Sequence, residues 1–453
     1  MRAGFRYTES VSEERQRLAA LHRTRSSRVR GWAVCACWAL FVTRAGAAPV
    51  RNVILFVGDG MGLGQIEAAR CYAGETLFFE SFPFRSLIDT AAAGGWITDS
   101  AASGTALATG YKVNNGVVSL AIPGDEQELE TVLEYFQGWG KASGLVTTSY
   151  LTDATPAVFG AHAAYRFDSE MIAWQYLNRT RPEVLMGGEA AGLSLAVAES
   201  AGYHVVTDRL SLVAAQTGTV ARLCGLFGAG YLPYEYDGLG ERPSLAEMTA
   251  CALSVLSRDP DGFFLMVEGG LIDIACHGND LARCVAETLA FDRAVETWAA
   301  WAHGRDDTLI LVVADHETGG LSVVRDAGPG LLPEVSWSTT GHTAAPIALF
   351  GWGANAEWVE GASDNTHVAG LMRRRVPLPG EAVSITRTSV DRLQAVWAAL
   401  SGTVYRIEQS AALRPAAWQT REIVTAVTSR VTLEHVVGTE PSCGFFRMVP
   451  MAP

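Results

Sequence analysis

Four runs of apolar residues each stop at an acid or a glycine turn, and no other feature of the chain restricts its fold as strongly. Asn52-Val-Ile-Leu-Phe-Val57 enters Gly58-Asp59-Gly60-Met61-Gly62, and Gly144-Leu-Val-Thr-Thr148 leads to Asp153-Ala-Thr155-Pro156. Phe263-Phe-Leu-Met-Val267 ends at Glu268-Gly269-Gly270, and Thr308-Leu-Ile-Leu-Val-Val313 at Ala314-Asp315-His316-Glu317. A strand that is apolar at nearly every position has no face for water, so it belongs to a sheet covered on both sides. Helical patterns over Leu129–Trp139, Ser244–Arg258 and Asp280–Ala302 separate the runs. This alternation predicts an α/β fold with a doubly wound, largely parallel sheet sandwiched by helices. Such sheets bind ligands beyond the carboxyl ends of their strands, where Asp59, Glu268, Asp315 and His316 all fall.

The two ends of the chain differ from this middle. Residues 1–47 hold nine Arg against three Glu, so the rest of the 453-residue chain holds 26 basic and 45 acidic residues. That acidic excess repels a phosphate backbone and argues against nucleic-acid binding beyond terminal phosphates. Arg23, Arg25, Arg28 and Arg30 precede the apolar stretch Gly31–Val42 and the small residues Ala45-Gly46-Ala47. This is the order of a secretory signal, and the apolar stretch is shorter than the roughly 20 residues a membrane span needs. Export to the periplasm or the medium is therefore expected, with no stable membrane span. Residues 48–375 would form the catalytic domain. After Val376-Pro-Leu-Pro-Gly380, short alternating segments at Ser384–Arg387, Gln394–Ala398, Val404–Ser410, Glu422–Val427, Arg430–Val436 and Phe445–Val449 predict a small β-sandwich-like accessory domain over 376–453. Trp397, Tyr405 and Trp418 are read as its core. Cys276 and Cys284 would stand about 12 Å apart on a continuous helix, beyond disulfide reach.

The chemistry concentrates in a few acidic and glycine-rich segments. Histidines stand in Asp273-Ile-Ala-Cys-His277, Asp315-His316 and Thr340-Gly341-His342-Thr343. Together with Asp59 and Glu268 they suit zinc where imidazole contributes and magnesium where only oxygen does. On a helix, Asp273 and His277 would share one face. Thr98-Asp99-Ser100-Ala101-Ala102-Ser103-Gly104-Thr105 reads either as a helix N-cap or as a serine held at a helix N-terminus, where an anion is welcome. No Gly-x-Ser-x-Gly surrounds Ser100, so a metal would have to activate it.

These segments resemble the alkaline phosphatases over roughly residues 50–372. The resemblance rests on Asp59-Gly60-Met61-Gly62, the Asp99–Thr105 segment, Asp153-Ala-Thr155-Pro followed by Arg166, Val267-Glu-Gly-Gly with Asp273 and His277, Ala314-Asp-His-Glu-Thr-Gly-Gly320, and Thr340-Gly-His-Thr343. It implies a phosphomonoesterase with two Zn2+ and one Mg2+. Asp273, His277 and His342 would hold the first zinc, and Asp59, Asp315 and His316 the second. Asp59, Thr155 and Glu268 would hold the magnesium, with Asp153 bonding its waters. Ser100 would be the nucleophile and Arg166 the clamp on small phosphate monoesters; a homodimer is one assembly left open, since the sequence does not fix the oligomeric state. Ile274 departs from the pattern, since relatives place a cation there. A phosphodiesterase of the same superfamily, or a non-catalytic exported phosphate- or metal-binding protein, are the alternatives.

Overall fold

The computed structural model describes residues 50–302 and 305–374, together with the strands 382–389, 392–398, 404–410, 419–425, 430–436 and 445–450. The expected export signal, with Cys35 and Cys37, Trp418, and the side chains of Trp397 and Tyr405 lie outside the described residues. Two compact units divide the chain, one of them Pro49–Val376.

That unit is built on nine strands in one sheet: β1 (Asn52–Gly58), β2 (Phe84–Ile88), β3 (Ala142–Tyr150), β4 (Val184–Glu189), β5 (His204–Val206), β6 (Leu223–Ala229), β7 (Phe263–Gly269), β8 (Thr308–Ala314) and β9 (Ile347–Gly353). Their order across the sheet is β2-β9-β8-β1-β7-β3-β4-β6-β5. All neighbouring pairs from β8 to β5 are parallel. β9 runs against both β8 and β2, so the sheet is mixed at this edge. The expectation of a largely parallel sheet therefore holds, with one antiparallel strand that the apolar runs did not reveal.

Every residue of β1, β7 and β8 is buried. Neighbours in β7 show why no alternation is visible. Phe263 meets Trp301 at 5.3 Å between ring centroids, while Phe264 meets Phe136 at 5.8 Å and Phe159 at 5.7 Å. Successive side chains point to opposite faces, so both faces of this strand are covered. The covering helices used below are α1 (Ser100–Thr109), α2 (Val132–Gly138), α3 (Ala154–Gly160), α4 (Leu271–His277) and α5 (Leu281–Ala302).

Local chemistry sets the helix ends. Asp99 caps α1 by accepting from Ala102 N–H at 2.9 Å, and Gly110 ends it at φ 86°. Thr131 and Glu134 form a capping box at the start of α2. α4 stops at His277, and Asn279 turns the chain at φ 49° before α5. This break corrects the reading of one continuous helix: the Cys276 and Cys284 sulfurs are 3.5 Å apart, both buried.

The C-terminal strands form two three-stranded sheets, 382–389, 392–398 and 430–436 in one, and 419–425, 404–410 and 445–450 in the other. Each neighbouring pair is antiparallel. No helix among the described residues is long and apolar enough to cross a membrane.

Candidate active site

Strand register assembles the acids. Gly58 of β1 pairs with Gly269 of β7 and with Ala314 of β8, so Asp59 and Asp315 leave adjacent strands at the same level. Glu268 pairs with Val57 one residue earlier, and Thr147 of β3 pairs with Glu268 from the other side. The turn after β1 must be tight. Gly60 has φ +69°, and a Cβ there would stand 2.8 Å from Asp273 Oδ1 and 2.9 Å from Thr318 Oγ1. Only glycine fits that conformation and that approach.

Three imidazoles converge with their second nitrogens spoken for. His277 Nδ1 lies 2.6 Å from Thr340 O, His342 Nδ1 2.8 Å from Thr98 O, and His316 Nδ1 3.2 Å from Thr318 Oγ1. Each Nε2 then points at an acid: His277 at Asp273 Oδ2 (3.2 Å), His342 at Asp273 Oδ1 (3.7 Å), and His316 at Asp315 Oδ2 (3.3 Å) and Asp59 Oδ1 (3.6 Å). Fixing one nitrogen by a hydrogen bond and leaving the other toward carboxylates is how proteins orient metal-binding histidines. Two groups have ligand atoms close enough to share an ion: Asp59, Asp315 and His316, and Asp273, His316 and His342. His316 belongs to both groups. His277, read as a partner of Asp273 and His342, joins through its Nε2, 3.2 Å from that of His342.

The electrostatics are costly without a cation. Burial, then the fields of Asp315, Asp273, Glu268 and Asp153, push the Asp59 carboxyl well above its usual range. Burial and then Asp153 raise Glu268 to about 8, and burial and then Asp273 raise Asp315 to about 6. Burial lowers His316 to about 4, which leaves it uncharged at neutral pH. Burial opposes the ionised form of Asp273, but the hydrogen bond from His277 and the nearby imidazoles outweigh it and hold the carboxyl at about 2. Buried polar atoms normally find partners. Asp59 Oδ1, Thr155 Oγ1, Asp315 Oδ2 and Arg166 Nε are buried and make no hydrogen bond among the described residues; the two carboxylate oxygens have only the uncharged His316 Nε2 facing them. Divalent ions bound at the three oxygens would neutralise the carboxylates and satisfy these atoms, so the donor set fits oxygen- and imidazole-binding metals.

Ser100 is the first residue of α1 and is 4% exposed. Its Oγ lies 3.2 Å from His316 Nε2. Arg166 reaches in from the loop after α3 and is held at two points, NH1 on Asp99 Oδ2 at 3.2 Å and NH2 on Asp153 Oδ1 at 3.1 Å. Asp153 is fixed in turn by Ser149 Oγ (2.5 Å) and Ala154 N–H (2.8 Å), and Glu268 accepts from Thr147 Oγ1 at 2.5 Å. All eleven site residues read from the sequence come together here. Two further residues were missed. Asp99 caps the serine helix and grips Arg166 at once, and its N-cap position accounts for the acid so fully that the second contact left no sequence signal. Thr318 donates to Asp273 Oδ1 at 2.5 Å and faces His316, a role that only the fold brings about.

Comparison with known proteins agrees with this geometry. Residues 50–194 and 178–333 match the family profile described as alkaline phosphatase. Alkaline phosphatase 3 of Bacillus subtilis is 36% identical over 298 residues, 61% of this chain and 63% of that protein, so the chain spans under two thirds of this relative. The streptomycin-6-phosphate phosphatase of Streptomyces griseus is 33% identical over 411 residues, covering 73% of this chain and 91% of the relative. Among solved structures, the cold-active alkaline phosphatase of a Shewanella species superposes with a TM-score of 0.65 at 28% identity, over 71% of this chain and 98% of the other. That of Thermus thermophilus gives 0.64 at 29% identity, over 73% and 93%. With the strand-end acids, the three oriented histidines and the capped serine gathered at the carboxyl ends of the strands, these matches establish that the chain belongs to the alkaline phosphatase family.

Proposed function

We propose that this protein hydrolyses phosphate monoesters to an alcohol and inorganic phosphate through a phosphoserine at Ser100, and that it works outside the cytoplasm. The observation that carries the reading is the set of buried atoms without a hydrogen bond on Asp59, Thr155, Asp315 and Arg166, which belong to the same residues as the family pattern. Asp273, His277 and His342 would hold one zinc, Asp59, Asp315 and His316 a second, and Asp59, Thr155 and Glu268 a magnesium. Bound there, the ions would supply positive charge to the attacking and leaving oxygens and stabilise the serine alkoxide.

The chain's own groups do the rest. Arg166 offers a planar fork to two non-bridging phosphate oxygens, and its Nε–H is still free to donate. Asp99 and Asp153 hold that fork in place, so little rotamer freedom is lost when substrate binds. Ser100 Oγ attacks phosphorus in line, the ester oxygen departs with a proton as alcohol, and water then attacks the phosphoserine to release phosphate and restore the hydroxyl. The amide end of α1 stabilises the negative charge that gathers beside Ser100. Two successive inversions leave the configuration at phosphorus unchanged.

Turnover of a panel of mono-, di- and sulfate esters by the purified protein tests this reading. Monoesters should be the preferred substrates, chelation should abolish turnover, and zinc plus magnesium should restore it. A diester preferred over the matching monoester would favour the phosphodiesterase alternative. Bound phosphate without turnover of any ester would make the protein a binding protein.

A further inference from the structure

Beside the Arg166 clamp the chain exposes more ring surface than folding requires. Tyr165 is 53% exposed and Phe167 58%, on either side of the inward-turned Arg166. Their rings meet edge to face at 5.1 Å, so the pair has a fixed shape, and the Arg166 guanidinium carbon lies 5.5 Å from the Phe167 centroid. The backbone ties these rings to the nucleophile. Arg166 N–H donates to Gly116 O (2.8 Å), Gly116 N–H to Asp99 Oδ2 (3.0 Å), and a Cβ added to Gly116 would meet the Tyr165 ring at 3.6 Å. Asn115 then joins Asp99 N–H to Ile97 O, and Ile97 is itself half exposed.

Resting on the phosphatase reading above, we infer that Tyr165 and Phe167 form a leaving-group subsite that selects phosphate monoesters of aromatic alcohols. A phosphate held by Arg166 carries its ester substituent within one or two bonds of the clamp. A ring on that substituent would then stand near Phe167, and aromatic rings attract one another at separations of about 4.5–7 Å. Rings that stay in water in the free protein gain apolar contact only when such a substituent arrives, and exposed apolar patches of this kind mark binding sites. The edge-to-face pair offers both an edge and a face to the incoming ring.

The test compares 2-phenylethyl phosphate with propyl phosphate, whose alcohols are similarly basic, on the full-length metal-loaded protein. The readout is the ratio of the two kcat/KM values, in which any general loss of activity cancels. The wild type should prefer the aromatic ester about tenfold, a gain typical of one well-placed ring pair. Tyr165→Ser with Phe167→Ser should bring the ratio to within about twofold of unity, while Phe167→Tyr, which keeps a ring, should retain the preference. A wild-type ratio near one, or a preference that survives in the double variant, overturns the inference and leaves the phosphatase reading intact. Turnover of neither ester overturns the phosphatase reading and this inference with it.

Discussion

At the scale of single residues, Asp99 does two jobs that separate experimentally. It caps α1 and it holds one arm of Arg166. Asp99→Asn should keep most of the cap, because asparagine caps nearly as well, but it replaces an ionic grip with a weaker neutral one. KM and the inhibition constant for phosphate should rise about five- to tenfold in steady-state assays, with the melting temperature nearly unchanged. Asp99→Ala should lose the cap as well, at about 1 kcal/mol in denaturant unfolding. The buried acids make a second residue-scale prediction. Glu268 and Asp315 have folded values raised to about 8 and 6, above those of an unfolded chain, so the metal-free fold binds protons more tightly than the unfolded chain does. Stability must then fall as pH rises through that range. The melting temperature of chelated protein should drop between pH 6 and 9, and zinc plus magnesium should restore it most at the alkaline end. A metal-free protein equally stable across this range would contradict the electrostatic account.

At the scale of elements, a buried pair ties α2 to the end of α3. His162 Nδ1–H donates to Ser119 O (2.8 Å) and its Nε2 faces Glu134 Oε1 at 3.0 Å, while Gln175 bonds its backbone on both sides. Burial lowers the His162 pKa, but the bond to Glu134 outweighs it and the net shift is upward; Glu134 is held below its usual range by the same pair against its own burial. A raised histidine stabilises fully below its unfolded value of about 6.5 and loses that as pH rises through its folded value. A lowered glutamate stabilises above about 4.5 and loses that as pH falls. The pair therefore contributes most between about pH 4.5 and 6.5. His162→Gln should lower stability by about 1–3 kcal/mol in urea unfolding near pH 6, and by less at pH 9. β1, β7 and β8 announce themselves because no position faces water. β2 does not, since it sits at the sheet edge with alternate residues exposed and carries Arg85 and Ser86 in its middle. Burial alone is not enough, because β9 was missed although its first five residues are buried. The break between α4 and α5 was hidden for a different reason: the turn at Asn279 interrupts a pattern whose apolar spacing continues on both sides.

At the scale of the whole molecule, the residues proposed as metal ligands and nucleophile could be picked out because several weak signals converge on the same segments. A strand-end acid, a lone histidine or a capping serine each has an ordinary structural use, and only their combination in the family pattern singles them out. What could not be read are the contacts made by folding alone, such as Thr318 on Asp273 or Arg166 on Asp99, since the partners lie far apart in the chain and either residue is unremarkable by itself. Every proposed site residue falls within Pro49–Val376. A chain ending at Val376 should therefore retain metal-dependent turnover within about threefold of the full-length protein, as measured by kcat/KM on one monoester. A soluble, metal-loaded truncation without activity would show that the C-terminal strands shape the site.

The central claim is that Ser100 carries the phosphoryl group during turnover. The most direct measurement is rapid acid quenching of the metal-loaded protein during turnover of a monoester, followed by peptide mass spectrometry. The account predicts an added phosphate on the peptide containing Ser100, absent from Ser100→Ala, whose kcat should fall by at least about a thousandfold, or roughly 4 kcal/mol of barrier, with metal content unchanged. Turnover that proceeds with no label on Ser100, and that survives Ser100→Ala within tenfold, would contradict it.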